Sequence, residues 1–236
     1  MHSELQRPHI VAIIPARGGS KGIPQKNLRS VAGKPLIAHT IGQALAADKV
    51  QRVIVSTDDP EIESISRQYG AEVMRRPGNI SDDFASSESA LMHVLSELRH
   101  HEGYEPDLIV FLQCTSPIRQ PMDIDQAILK LQAENADSLL SVVPSHRFIW
   151  VEANGETKPL NYDYKNRPRR QDLQPQFVEN GSIYVFKPWV LESLRNRLGG
   201  KLALYVMQED SAWDIDSLFD LEVVDKLMCS RKESEK

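Results

Sequence analysis

The stretch IIPARGGSKGIPQKN, Ile13 to Asn27, sets Gly18, Gly19 and Gly22 among the cations Arg17, Lys21 and Lys26, directly after an apolar run. Such a run suits a buried parallel strand, and glycines at its exit let backbone N–H groups approach an anion while the cations add the charge those amides lack. The spacing excludes two familiar phosphate loops: Ile23 stands where a P-loop would need its second glycine, and the glycines do not fall at G-x-G-x-x-G intervals. From Arg17 to Ala47 the chain has Arg17, Lys21, Lys26, Arg29 and Lys34 and no acid, against a net charge of -5 overall. A loop so segregated in sign points to a small polyanionic ligand.

A second constellation is WDID, where Asp214 and Asp216 alternate with Ile215. In an extended chain both carboxylates face one way and Ile215 turns to the core, so the pair can share one hard cation, and magnesium fits beside a phosphate loop. An N-cap role would suffice for Asp216 alone. A third is NRPRRQD, where Arg167, Arg169 and Arg170 suit a solvated patch, a nucleic-acid contact or a two-pronged grip on a carboxylate, and the residues alone leave that open.

The elements that must position these groups alternate. Apolar runs in HIVAIIPA, RVIVST, AEVMRR, DLIVFLQ and SLLSVVP are separated by helical segments opening at Pro35, Pro60 and Pro121, and this rhythm predicts an α/β fold with a mainly parallel sheet flanked by helices. Leu91, Val94, Leu95 and Leu98 form one helical stripe expected in the core. Ligands of such sheets gather beyond the carboxyl ends of the strands, which places Arg17, Asp58, Asp59, Arg76 and QCTSPIR on one rim, with Asp58 and Asp59 expected to serve the start of the next helix. From about Pro144 to Gln176 the rhythm stops. This segment is expected to be an inserted arm whose aromatics, Phe148, Trp150, Tyr162 and Tyr164, need a second subunit to cover them. Strand ENGSIYVF, a helix from Pro188, strand KLALYVMQ and a last helix follow, and residues 230–236 are expected to be a flexible polar tail.

A chain of 236 residues with 41% hydrophobic content can build one generous domain. It has no apolar run of membrane-spanning length and no signal-peptide pattern at its start, so a cytoplasmic, non-membrane protein is expected. Cys114 and Cys229 form no metal-like or redox pair and are both expected to be buried thiols; the histidines make no zinc motif, and an acidic chain makes nucleic acid a poor partner.

With the loop, LQCTSPIR, ENGSIY and WDID together, residues 9 to 228 resemble the CMP-sialic acid synthetases, the acylneuraminate cytidylyltransferases, whose signature loop reads approximately A-R-x-x-S-K-G-x-x-x-K-N. The resemblance implies a Rossmann-like nucleotidyltransferase fold in a single domain, with residues 144–176 as a dimerisation arm. It implies that Arg17, Lys21 and Lys26 meet the phosphates of CTP and that Gly18, Ser20, Asn27, Arg76 and Ser87 help hold the nucleotide. Gln113 would face the sugar, Arg170 would receive its carboxylate, and Asp214 and Asp216 would bind Mg2+, with Mn2+ as a substitute. Arg17, Lys26 and Asp216 carry the catalytic expectation. The implied reaction joins CTP to a nine-carbon 2-keto sugar acid, N-acetylneuraminic, legionaminic or similar, for surface polysaccharide or glycoprotein, in a homodimer. In some relatives a lysine of the arm also contacts the sugar; SHRFIW carries none. The alternatives are a nucleotidylyltransferase charging a sugar 1-phosphate or using GTP, and a non-catalytic nucleotide-binding regulatory dimer.

Overall fold

The computed structural model describes residues 8–20, 22–81 and 85–234. In chain order the elements are β1 (Ile10–Pro15), β2 (Ser30–Val31), β3 (Lys34–Pro35), α1 (Leu36–Leu45), β4 (Arg52–Thr57), α2 (Pro60–Gln68), β5 (Glu72–Arg75), α3 (Ser87–Glu102), β6 (Leu108–Leu112), α4 (Asp123–Ala133), β7 (Ser138–Ser145), β8 (Trp150–Ala153), β9 (Glu156–Pro159), β10 (Gln176–Phe186), α5 (Pro188–Leu194), β11 (Leu202–Val206) and α6 (Leu218–Ser234).

Seven strands form the main sheet in the order β11-β7-β10-β6-β1-β4-β5. The strand β10 runs antiparallel to both β6 and β7, and every other neighbouring pair is parallel. In β1 the alternation sends Ile10, Ala12 and Ile14 to one face and Val11 and Ile13 to the other. The first face packs with Leu36, Ile37 and Ile41 of α1, Ile124 and Ile128 of α4 and Val224 of α6; the second packs with Leu91, Val94, Leu95 and Leu98 of α3 and with Val190 and Leu191 of α5. All four stripe residues of α3 are buried, as their spacing predicts. Asp59 caps α2, its Oδ1 accepting from the amides of Glu61 at 2.8 Å and Ile62 at 2.9 Å.

Three sequence expectations change. The segment 144–176 contains a hairpin, β8 against β9, turning at Asn154 and Gly155, both at positive φ (56° and 78°), the geometry of a tight hairpin turn. Its aromatics cover one another in part: Phe148 lies 4.3 Å from Tyr162 between ring centroids, Trp150 lies 5.9 Å from Tyr162 and 5.8 Å from Tyr164, and the Arg167 guanidinium stands 4.4 Å from the centre of Phe148. Cys229 is exposed rather than buried, because it shares the outer stripe of α6 with Glu222 and Lys226 while Val224 faces the core. Of the expected tail, 230–234 continue α6 and 235–236 lie outside the described residues. Among the described residues no helix is long and apolar enough to cross a membrane.

Candidate active site

Four parallel strands end on one rim, β1 at Pro15, β4 at Thr57, β5 at Arg75 and β6 at Leu112. Past these ends the chain turns into polar loops that enclose a cavity of about 330 Å³, lined among others by Arg17, Ser20, Lys26, Asn27, Arg76, Ser87, Phe111, Gln113, Cys114 and Thr115. Seven sequence-predicted site residues thus meet in one place: Arg17, Ser20, Lys26, Asn27, Arg76, Ser87 and Gln113.

The glycine loop is held from behind. Gly18 donates its amide to Asp58 Oδ1 at 3.1 Å, so that N–H serves the loop's own shape, and Asn27 Nδ2 donates to the carbonyl of Arg17 at 3.1 Å. Close approach explains two of the glycines. A Cβ on Gly18 would stand 2.5 Å from Asp59 Oδ2, and one on Gly22 would stand 2.6 Å from the carbonyl oxygen of Asp216. Lys21 lies outside the described residues.

Arg76 is 7% exposed and donates from Nη2 to the Ser56 carbonyl at 2.9 Å and from Nε to Ser56 Oγ at 3.3 Å. Burial pulls its pKa down; Asp58 opposes this, while the like charge of Arg17 adds to it. Two cations that disfavour each other across a pocket gain when an anion enters between them. Cys114 is buried, and its thiol is pushed up to about 12 by desolvation, so it stays protonated at neutral pH.

Asp214 and Asp216 flank Ile215 as their alternation predicts: both are exposed, and Ile215 is fully buried. The Ile215 amide donates to the Thr115 carbonyl at 2.9 Å, which ties this segment to the end of β6. Asp214 Oδ1 accepts from Ser116 Oγ at 3.1 Å, and Asp216 Oδ1 faces Lys26 Nζ at 3.2 Å. Asp216 therefore meets the cavity through Lys26, which lines it, while Asp214 is tied to Ser116, the residue after the lining Thr115. Arg170 is exposed in a short helical turn of the arm, 170–172, and is not among the residues lining the cavity.

Several side chains at this rim carry no signal that sequence reasoning used. Tyr184 stacks on Phe111 with centroids 5.3 Å apart and donates its hydroxyl to Glu179; burial and that carboxylate push its pKa up. Arg197 lies over both rings, at 5.0 Å and 4.9 Å, and pairs with Glu88 of α3 at 2.8 Å. Asn180 is buried, its Oδ1 accepting from Ser141 Oγ at 2.6 Å and its Nδ2 donating to the Ser211 carbonyl at 3.1 Å. The Asn-Gly pair in ENGSIY was the available hint, since Gly181 adopts φ +66°.

The family model described as Cytidylyltransferase matches residues 11–225. The chain belongs to the cytidylyltransferase family. Among curated relatives of this cytidylyltransferase family member, an N-acylneuraminate cytidylyltransferase of Oncorhynchus mykiss is 38% identical over 225 residues, covering 94% of this chain and 50% of the relative. The N-acylneuraminate cytidylyltransferase A of Danio rerio is 39% identical over 222 residues, 92% of this chain and 50% of the relative. The chain spans about half the length of these relatives. It spans 94% of the post-translational flagellin modification protein B of Campylobacter coli, at 30% identity over 223 residues and 93% of this chain. The resemblance expected from the sequence is borne out by these matches. A solved structure of CMP:2-keto-3-deoxy-manno-octonic acid synthetase complexed with CTP superposes with a TM-score of 0.72 at 21% identity, covering 94% of this chain and 99% of that one. That likeness establishes the Rossmann-like nucleotidyltransferase fold.

Proposed function

We propose that this chain transfers the cytidylyl group of CTP to the 2-hydroxyl of a nine-carbon 2-keto sugar acid of the sialic type, acting as a cytosolic homodimer assembled through the arm. The observation that carries the reading is the convergence of Arg17, Lys26, Arg76 and Gln113 on one cavity in a cytidylyltransferase-family chain. Three cations match a triphosphate, and the hydroxyl-rich side provided by Ser86 and Ser87 suits a nucleoside.

In this reaction the acceptor oxygen bonds to the α-phosphorus, the bond from that phosphorus to the bridging oxygen of the leaving group breaks, and pyrophosphate departs with the electron pair. Arg17 and Lys26 stabilise the charge that grows on the leaving phosphates, and Gln113 orients the acceptor. Among the described residues that line the cavity there is no His, Asp or Glu to take the acceptor proton, and Cys114 is held as a thiol.

The donor set fits a hard divalent cation. Asp214 and Asp216 offer two exposed carboxylates, and among the described residues no group of three or more His, Cys, Asp or Glu is placed to hold a metal, so remaining ligands would be phosphate oxygens and water. That mixed set is how Mg2+ is ordinarily held, and Mn2+ would substitute. Bound there, the ion supplies charge neutralisation at the phosphates and lowers the pKa of the acceptor hydroxyl.

The test is pyrophosphate release from the purified chain with Mg2+ and each of CTP, GTP, UTP and ATP, against N-acetylneuraminic, legionaminic, pseudaminic and eight-carbon keto acids. Release with CTP and one nine-carbon acid supports the reading and names the acceptor; binding of CTP without release on any acid favours a regulatory dimer. Arg170→Ala, which should raise the KM for the acid alone, separates this reading from a sugar 1-phosphate enzyme, for which a carboxylate-binding arginine is superfluous.

A further inference from the structure

Arg119 is a guanidinium at 6% exposure whose hydrogen bonds all go to uncharged acceptors. Its Nη1 donates to Gln43 Oε1 at 2.8 Å and Thr40 Oγ1 at 3.3 Å, and its Nη2 donates to the carbonyls of Gln113 and Ser182, both at 2.8 Å. Burying a cation without an acid in hydrogen-bond contact is costly, and a domain core has cheaper ways to fill that space. The position of the guanidinium gives the reason for it.

The antiparallel ladder between β6 and β10 ends with Leu112 opposite Ile183. The next residues in register, Gln113 and Ser182, are not a ladder pair, and one guanidinium nitrogen collects both of their carbonyls instead. Immediately beside them Gly181 sits at φ +66°, and a Cβ there would stand 2.8 Å from Gln113 Oε1 and 3.2 Å from Ser116 Oγ. Ser182 Oγ donates to the Ser116 carbonyl at 3.3 Å, and Ser116 Oγ donates to Asp214. The spacing between the end of β6 and the irregular part of β10 therefore decides where the Gln113 amide points. A planar fork with several fixed donors can set that spacing from α1, β6 and β10 at once, whereas an ammonium cannot.

We propose that Arg119 is the positioning residue of the acceptor side of the cavity: it fixes the separation of Gln113 and Ser182 so that the Gln113 amide enters the cavity in one orientation. This rests on the acceptor role given to Gln113 above.

The experiment compares wild type with Gln113→Ala, Arg119→Lys and Gly181→Ala. It reads KM for N-acetylneuraminic acid, KM for CTP, and the Gln113 side-chain amide resonance, identified by its loss in Gln113→Ala. Arg119→Lys should raise the acid KM by about tenfold or more, leave the CTP KM within about twofold, and shift the resonance. Gly181→Ala should do the same with Arg119 intact, which covers the case of an Arg119 variant that does not fold. An unshifted resonance in Arg119→Lys, or a fall in kcat with both KM values unchanged, overturns the proposal. If Gln113→Ala leaves the acid KM at its wild-type value, the reading of Gln113 fails; if Gln113→Ala raises it and the other two variants do not, the positioning role alone fails. Where N-acetylneuraminic acid is not turned over, the resonance decides.

Discussion

Lys26 Nζ stands 3.2 Å from Asp216 Oδ1 and donates to the Ile215 carbonyl at 2.6 Å, joining the glycine loop to the segment ahead of α6. The Lys26 side chain is 14% exposed but that of Asp216 is 79% exposed, and an ion pair with its acid in solvent is screened to about 0–1 kcal/mol. The contact is therefore a matter of placement more than stability. Lys26→Met should lower kcat by about 100-fold, as for loss of one donor to a developing anion, while Tm moves by no more than about 4 °C. Steady-state kinetics beside a thermal melt checks both; a change confined to KM would speak against a transition-state role.

Asp216→Asn should abolish turnover with the fold intact, since the amide keeps its shape and loses the charge that a divalent cation needs. Circular dichroism and pyrophosphate release on the same preparation measure this. A variant that remains active and metal-dependent would refute the metal assignment.

The two cysteines should separate cleanly. Cys229 lies exposed on α6, and Cys114 is buried with its thiol pushed up to about 12, so an alkylating reagent near neutral pH should add once to the native chain and twice after denaturation. Mass spectrometry reads the count, and equal rates at both thiols in the native chain would contradict the burial of Cys114.

Asp137 accepts from Lys187 Nζ and from the amide of Lys201, both at 2.9 Å, and these bonds, Lys187 first, hold its carboxyl below the usual 3.8. A depressed folded pKa gives stability that is fully present above the unfolded value and is lost as pH falls through the folded one. Asp137→Asn should thus lower Tm near neutral pH, and the difference from wild type should shrink once pH drops below about 4. Melting curves across that range test the sign; a difference that grows in acid would reverse it.

Much of the sheet is legible because its cause is local. A run such as IVAIIP, apolar on both faces, has few options other than a doubly covered strand, and the α3 stripe follows from helical spacing. The direction of β10 is not legible, since nothing in QFVENGSIYVF distinguishes a strand that pairs antiparallel from its parallel neighbours. The β8–β9 hairpin was legible in principle: Asn154-Gly155 is its turn signal, masked by the polar flanks on either side. At the site, the charged loop and the WDID pair announce themselves by charge and alternation. Arg119 does not, because a single arginine after Pro117 and Ile118 shows its purpose only when Gln43, Gln113 and Ser182 are brought around it.

The one reversed strand has a mechanical consequence. Residues Gln176–Glu179 of β10 pair with β7 at the root of the arm, Gly181 lies beside the cavity-lining Gln113, and Tyr184–Phe186 are locked between β6 and β7. A pull on the arm is thus borne by a strand clamped at its far end, and the ladder it would load is interrupted between Glu179 and Tyr184, where Arg119 holds the Ser182 carbonyl and Gly181 sits beside Gln113. Load applied by the hairpin would reach that interruption, beside the side chain proposed to orient the acceptor, before it reached the core.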